Sequence, residues 1–130
     1  MLSLTTLLPA SLLLASLCGC SRATMLLESD VPLPNGMSTI RSSDIRRTDG
    51  TVSGGKFLLA GDVNDAHDAI TETAEIYRDN GWTIVRASGG LDLATGVFRK
   101  DDRIAEITLR RRALTPEMST GMLEVKSAGK

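Results

Sequence analysis

One stretch of this chain, Ala66 to Asn80, carries its apolar residues at helical spacing, while the segments on either side alternate with the period of a strand. Ala66, Ile70, Ala74 and Tyr77 recur at i, i+4, i+8 and i+11, and Ala69, Thr73 and Ile76 widen the stripe. His67, Asp68, Glu72, Glu75 and Asp79 fall on the opposite face, as an amphipathic helix requires. Gly61-Asp62-Val63-Asn64-Asp65 offers the start, with Asp62 as the expected cap and Asp65 and Asp68 complementing the positive end of the helix dipole. Asn80-Gly81 closes it with a left-handed cap.

The flanking segments read as strands. Met37 to Thr48 is mostly polar, with Ile40 and Ile45, and suits an exposed or edge strand, and Asp49-Gly50 then gives a tight turn. Thr51 to Ala60 is densest at Phe57-Leu58-Leu59-Ala60, with Gly54-Gly55 as a bulge. Beyond the helix come Trp82 to Ala87, a turn at Ser88-Gly89-Gly90, Leu91 to Lys100, and a turn at Asp101-Asp102. Arg103 to Arg111 follows, with Ala105, Ile107 and Leu109 alternating against Glu106, Thr108 and Arg110. Gly121 to Lys126 is the last strand, after the break at Thr115-Pro116. The expected fold is α+β: an antiparallel sheet of about five strands with one helix packed on one face, in the order β-β-α-β-β-β. A chain of 130 residues supports one such domain, placed at residues 37–130.

Ahead of it, Met1 to Ser21 has no charged residue, and Leu2, Leu4, Leu7, Leu8, Leu12, Leu13, Leu14 and Leu17 supply its bulk. Ser3, Thr5, Thr6, Pro9 and Ser11 dilute the run below the ~20 apolar residues of a membrane-spanning helix, so it reads as a secretory leader. Met1-Leu2-Ser3-Leu4 departs from the usual leader in having no Lys or Arg. Leu17-Cys18-Gly19-Cys20 resembles the bacterial lipobox, which implies a signal peptide over residues 1–19 and diacylglyceryl attachment at Cys20. Cys18 fits less well, because bulky Leu17 directly precedes it. Residues 20–36 then read as the lipidated N-terminus and a tether, with Pro32 and Pro34 holding Asp30 to Pro34 extended. A single cysteine would remain in the mature chain, so no disulfide could form within it.

The inventory for chemistry is thin. Fifteen Lys and Arg stand against sixteen Asp and Glu, a net charge of -1, which removes the electrostatic case for nucleic acid. One histidine, His67, sits among acids on the polar helix face, and no cysteine would remain free after acylation for it to activate. The same scarcity speaks against a zinc site. Asp62, Asp65 and Asp68 have a calcium-like look, yet the stretch lacks the mid-loop glycine and closing glutamate of a calcium loop, and helix capping explains them more simply. No metal and no cofactor is expected. The one local charge excess comprises Arg99-Lys100, Arg103 and Arg110-Arg111-Arg112, with Arg99, Arg110 and Arg112 as candidates for contact with an anionic partner.

Asp30-Val31-Pro32-Leu33-Pro34-Asn35-Gly36 and Asn80-Gly81-Trp82-Thr83-Ile84 resemble motifs of small bacterial envelope lipoproteins of unknown function. Those proteins open with DVPxPxG after the lipidated cysteine and continue through a strand, a helix and NGW to hydrophobic hairpins. This chain departs from them at Ile70 and Ala74, where an aromatic pair would be expected. The hairpin portion is also similar to the small sheet-and-helix domains of outer-membrane assembly lipoproteins. Neither resemblance implies catalytic residues.

The expected function is therefore a non-enzymatic, lipid-anchored cell-envelope protein acting on an unknown envelope protein or surface. The alternative is a periplasmic module that binds a small anionic ligand at Arg99, Arg110 and Arg112. Ser21 after the cysteine, in place of an aspartate retention signal, implies the outer membrane, facing the periplasm.

Overall fold

Two hairpin strands, β1 (Met37–Thr48) and β2 (Thr51–Gly61), precede a single helix, α1 (Ala66–Asp79). β3 (Thr83–Gly89), β4 (Leu93–Lys100), β5 (Arg103–Arg110) and β6 (Ser119–Ser127) follow it. The computed structural model describes residues 23–128, so the leader and Cys20 lie outside the described residues. Every strand pairing is antiparallel, and the spatial order is β1-β2-β6-β5-β4-β3. The fold is α+β with the helix on one face, as expected, and all six segments read as strands join the sheet, so it has six strands and not about five, with four of them after the helix. Asp49 and Gly50 both take positive φ (53° and 81°) in the β1–β2 turn, the geometry that matches the twist of a two-residue hairpin.

Register sets the core. Phe57, Leu123, Ile107 and Gly96 form one cross-strand row, and Leu59, Gly121, Leu109 and Ala94 form the next. All eight point to the same face and are buried. Rows of the other parity, such as Lys56, Glu124, Glu106 and Val97, face outward. Ala66, Ile70, Thr73, Ala74 and Tyr77 of α1 are buried against β3, β4 and β5. Gly96 lets the helix come this close: a Cβ there would lie 3.1 Å from Ile70 Cγ1 and 2.7 Å from the Phe98 ring. The helix starts later than expected. Asp65, not Asp62, is the cap, and its Oδ1 accepts from Asp68 N at 3.1 Å. β2 runs on to Gly61 and Val63 is buried, which holds Asp62 outside the helix.

The chain ahead of β1 differs from a tether. Leu26, Val31 and Leu33 are core residues, and Pro32 and Pro34 are buried with them. Sheet width gives the reason. Six strands about 4.8 Å apart span roughly 24 Å, whereas a helix with its side chains covers about 10 Å. One helix leaves half of the apolar face uncovered, and Met25–Pro34 packs there as a strap. Its two arms bond to each other, Leu26 N to Val31 O at 2.8 Å and Leu33 N to Thr24 O at 2.8 Å, with an isolated bridge between Met25 and Pro32.

These placements predict unequal costs on one helix. Ile70→Asp, which buries an unpaired carboxylate, should lose roughly 4 kcal/mol in denaturant unfolding, whereas His67→Ala on the exposed face should change stability by less than about 0.5 kcal/mol.

Candidate functional site

The strap turns sharply at Leu27 and Glu28, whose φ values of 47° and 56° are left-handed and uncommon for such side chains. The turn delivers Asp30 to the end of the sheet where β4 and β5 meet. There the Asp30 carboxylate takes both arms of Arg103, Nη1 to Oδ1 at 2.8 Å and Nη2 to Oδ2 at 2.6 Å. Lys100 Nζ lies 3.2 Å from the same Oδ2, and Arg103 Nη1 also donates to the Val52 carbonyl at 3.1 Å. Arg103 sits 5.0 Å over the Trp82 ring, and Trp82 Nε1 donates to the Asp30 carbonyl at 3.0 Å. Strap, helix end and sheet converge on this cluster.

Arg103 is on the buried face because it shares its parity with Ala105, Ile107 and Leu109, and only 11% of its side chain is exposed. The Arg103 hydrogen bonds hold the Asp30 carboxyl at about 2, against the upward push of burial and with help from Lys100. Arg103 is shifted up in turn, chiefly by its bond to Asp30. Beneath them Tyr77 stacks on Phe98 (centroids 4.2 Å) and meets Trp82 edge-on (5.3 Å). The Tyr77 hydroxyl is buried without a hydrogen-bond partner, and burial, then the charge of Asp30, pushes its pKa far up, so it stays protonated. A carboxylate chelated by two cations is a weak base, and a fully protonated phenol is no nucleophile. The cluster is a latch.

The candidate arginines do not converge. Arg110 pairs with Leu93 and Arg99 with Ile104, so six residues of β4, about 20 Å, separate them. Arg110 and Arg112 lie at one end of the sheet and Arg99 at the other, where its Nε approaches the Asp101 carbonyl at 3.4 Å. Arg111 is bound to Asp92 at 2.7 Å. Two grooves open on the surface, of about 550 Å³ around Thr48, Thr51, Ser53 and Arg103, and of about 430 Å³ around Ile45, Lys56, Glu124 and Lys126. None of Arg99, Arg110 and Arg112 lines either groove. Asp65, His67 and Asp68 bring ligand atoms within 4.8 Å of one another on the first turn of α1, but capping already engages Asp65. Arg103 and Asp30 are the residues that sequence reasoning missed as a pair. The strand parity of Arg103 was the available signal.

Comparison with protein-family models, with curated proteins and with solved structures returned no match. Among the described residues, no helix is long and apolar enough to cross a membrane.

Asp30→Asn should cost about 3 kcal/mol, because it leaves Arg103 largely buried without its counter-charge. The pH dependence has a definite sign. A depressed carboxyl pKa stabilises the fold above the unfolded value near 4, and that stability is lost as pH falls through about 2. Unfolding curves of the wild type and Asp30→Asn should therefore converge between about pH 4 and pH 2. The arginines at the other end should behave otherwise: Arg110→Ala and Arg112→Ala should each shift stability by less than about 0.5 kcal/mol in the same assay.

Proposed function

We propose that the protein is a non-enzymatic, lipid-anchored component of the bacterial cell envelope, held at the outer membrane through Cys20 and acting through its surface on another envelope component. The observation that carries the reading is the filled interior. The strap, α1 and one face of the sheet enclose twenty hydrophobic side chains at 5% exposure or less, so the groups open to a partner are on the outside. Arg103, the charged side chain on the core-facing side of β5, is engaged by the half-buried Asp30. The lipobox-like Leu17-Cys18-Gly19-Cys20 supports the anchor, and the DVPLPNG and NGW motifs support membership among small envelope lipoproteins.

Mass spectrometry of the membrane fraction is the test. The mature chain should begin at a lipid-modified Cys20, and Cys20→Ser should leave the protein unprocessed or released from the membrane. A mature chain beginning elsewhere, or one retained in the cytoplasm, would refute the reading.

A further inference from the structure

The chain contains three side-chain amides, Asn35, Asn64 and Asn80, and no glutamine. Two of the three precede glycine. In an Asn-Gly pair the following backbone nitrogen reaches the side-chain Cγ with least hindrance, because glycine has no Cβ and turns freely. Asn35-Gly36 and Asn80-Gly81 are alike in sequence. The fold makes them opposites.

Asn80-Gly81 is held on every side. The Asn80 Nδ2 donates to the Ile76 carbonyl at 2.8 Å, and the Asn80 carbonyl accepts from Lys100 Nζ at 3.1 Å. Gly81 N donates to the Arg78 carbonyl at 3.1 Å. The nitrogen that would attack is therefore engaged, and the half-buried side chain is drawn back onto the last turn of α1. Asn35 and Gly36 instead stand at the exposed centre of a turn, which Met37 N closes by donating to the Pro34 carbonyl at 3.2 Å. Gly36 takes a φ of 75°, and among the described residues its N–H donates to nothing. The Asn35 Nδ2 donates to Glu72 Oε1 of α1, a contact between two exposed side chains that opens readily to water. Asn64 is exposed too, but Asp65 follows it, and that side chain hinders the approach.

We infer that Asn35 is a site of spontaneous deamidation, and that the reaction turns the contact between the end of the strap and α1 from attraction to repulsion. Gly36 N loses its proton to hydroxide and bonds to Asn35 Cγ. The Cγ–Nδ2 bond breaks, and the nitrogen leaves as ammonia with a proton taken from water. Water then opens the succinimide at either carbonyl, giving aspartate or isoaspartate, with no change of oxidation state. A carboxylate that can only accept now stands where a donor faced Glu72, and the two like charges push apart. The inference stands on the strap and α1 alone and needs no lipid at Cys20.

The test incubates the purified full chain in mildly alkaline buffer and digests it with trypsin, which puts each asparagine in its own peptide: residues 23–41, 57–78 and 79–86. Synthetic peptides of the same sequences give the unrestrained rates by mass spectrometry. In the folded chain, 23–41 should deamidate within about threefold of its free rate, and 79–86 at least about tenfold below its own. In denaturant both should match their free peptides. Equal rates at the two positions in the folded chain, or faster reaction at Asn80, would overturn the site. The consequence is read separately, by hydrogen exchange at the Met37 N–H that closes the turn. Asn35→Asp should speed that exchange by about threefold, and adding Glu72→Gln, which restores a donor opposite an acceptor with the roles exchanged, should return it to the wild-type rate. No rise in Asn35→Asp, or a rise that Glu72→Gln leaves in place, would overturn the repulsion and leave the deamidation site standing.

Discussion

The bidentate pair between Arg103 and Asp30 is the constraint on which the rest of the structure turns. A guanidinium at a core-facing strand position is tolerable only with a counter-charge and several acceptors, since its desolvation is otherwise large. The Asp30 carboxylate and the Val52 carbonyl supply those, and the Trp82 ring covers the guanidinium face. Each partner comes from a different part of the chain: strap, β2, and the turn after α1. The left-handed turn at Leu27 and Glu28, itself costing on the order of 1–3 kcal/mol per residue, is what lets the strap reverse and present Asp30. Buried ion pairs contribute little net stability, but they penalise misplacement heavily. The pair therefore acts here as a registration device for the strap.

That registration matters because two unlike elements share one apolar face. Helix α1 covers β3, β4 and β5 through Ile70, Ala74 and Tyr77. The strap adds Leu26, Val31 and Leu33 to the same core, while β1 stays largely exposed beyond Met37. Its backbone-to-backbone bonds are internal, so side chains fix it laterally: Asp30 on Arg103 and Lys100, Trp82 on the Asp30 carbonyl, Arg47 on the Leu27 carbonyl, and, just past the strap, Asn35 on Glu72. An apolar strap without directional bonds could slide along the groove. With the latch it cannot.

Much of this was legible in the sequence because local rules and global fold agree. The stripe from Ala66 to Tyr77 gave the helix and its buried face, Asp49-Gly50 gave the hairpin, and alternation of Ala105, Ile107 and Leu109 gave the inner face of β5. Where reading failed, the deciding information was non-local. Asp30-Val31-Pro32-Leu33-Pro34 looks like a spacer because prolines forbid regular structure, yet prolines do not forbid burial. The uncovered width of the sheet demanded the strap, and that quantity appears only once strands are counted and laid side by side. Arg103 was grouped with its basic neighbours by composition, although its parity with Ala105 already placed it inside. Asp62 lost the cap to Asp65 because β2 claims residues as far as Gly61, a tertiary choice invisible to capping rules. The positions of Arg99 and Arg110, on one face but at opposite ends, follow from parity together with register, and register alone was missing.

The strap also settles how far a lipid at Cys20 could stand from the domain. A tether over residues 20–36 would reach some 50 Å when extended and leave the domain free to tumble. Burial of Leu26, Val31 and Leu33 removes that freedom. Each such side chain contributes about 1.5–3 kcal/mol on leaving water, so releasing the three would cost roughly 5–9 kcal/mol before the latch is considered. A domain of this size has a total stability of about 5–15 kcal/mol. Peeling the strap would therefore approach unfolding the protein, and a pull on the lipid would tilt the whole domain before it lengthened the leash. With a lipid at Cys20, the segment that completes the core would thus also set the distance to the membrane, and lengthening the leash from within the strap would uncover Leu26, Val31 and Leu33.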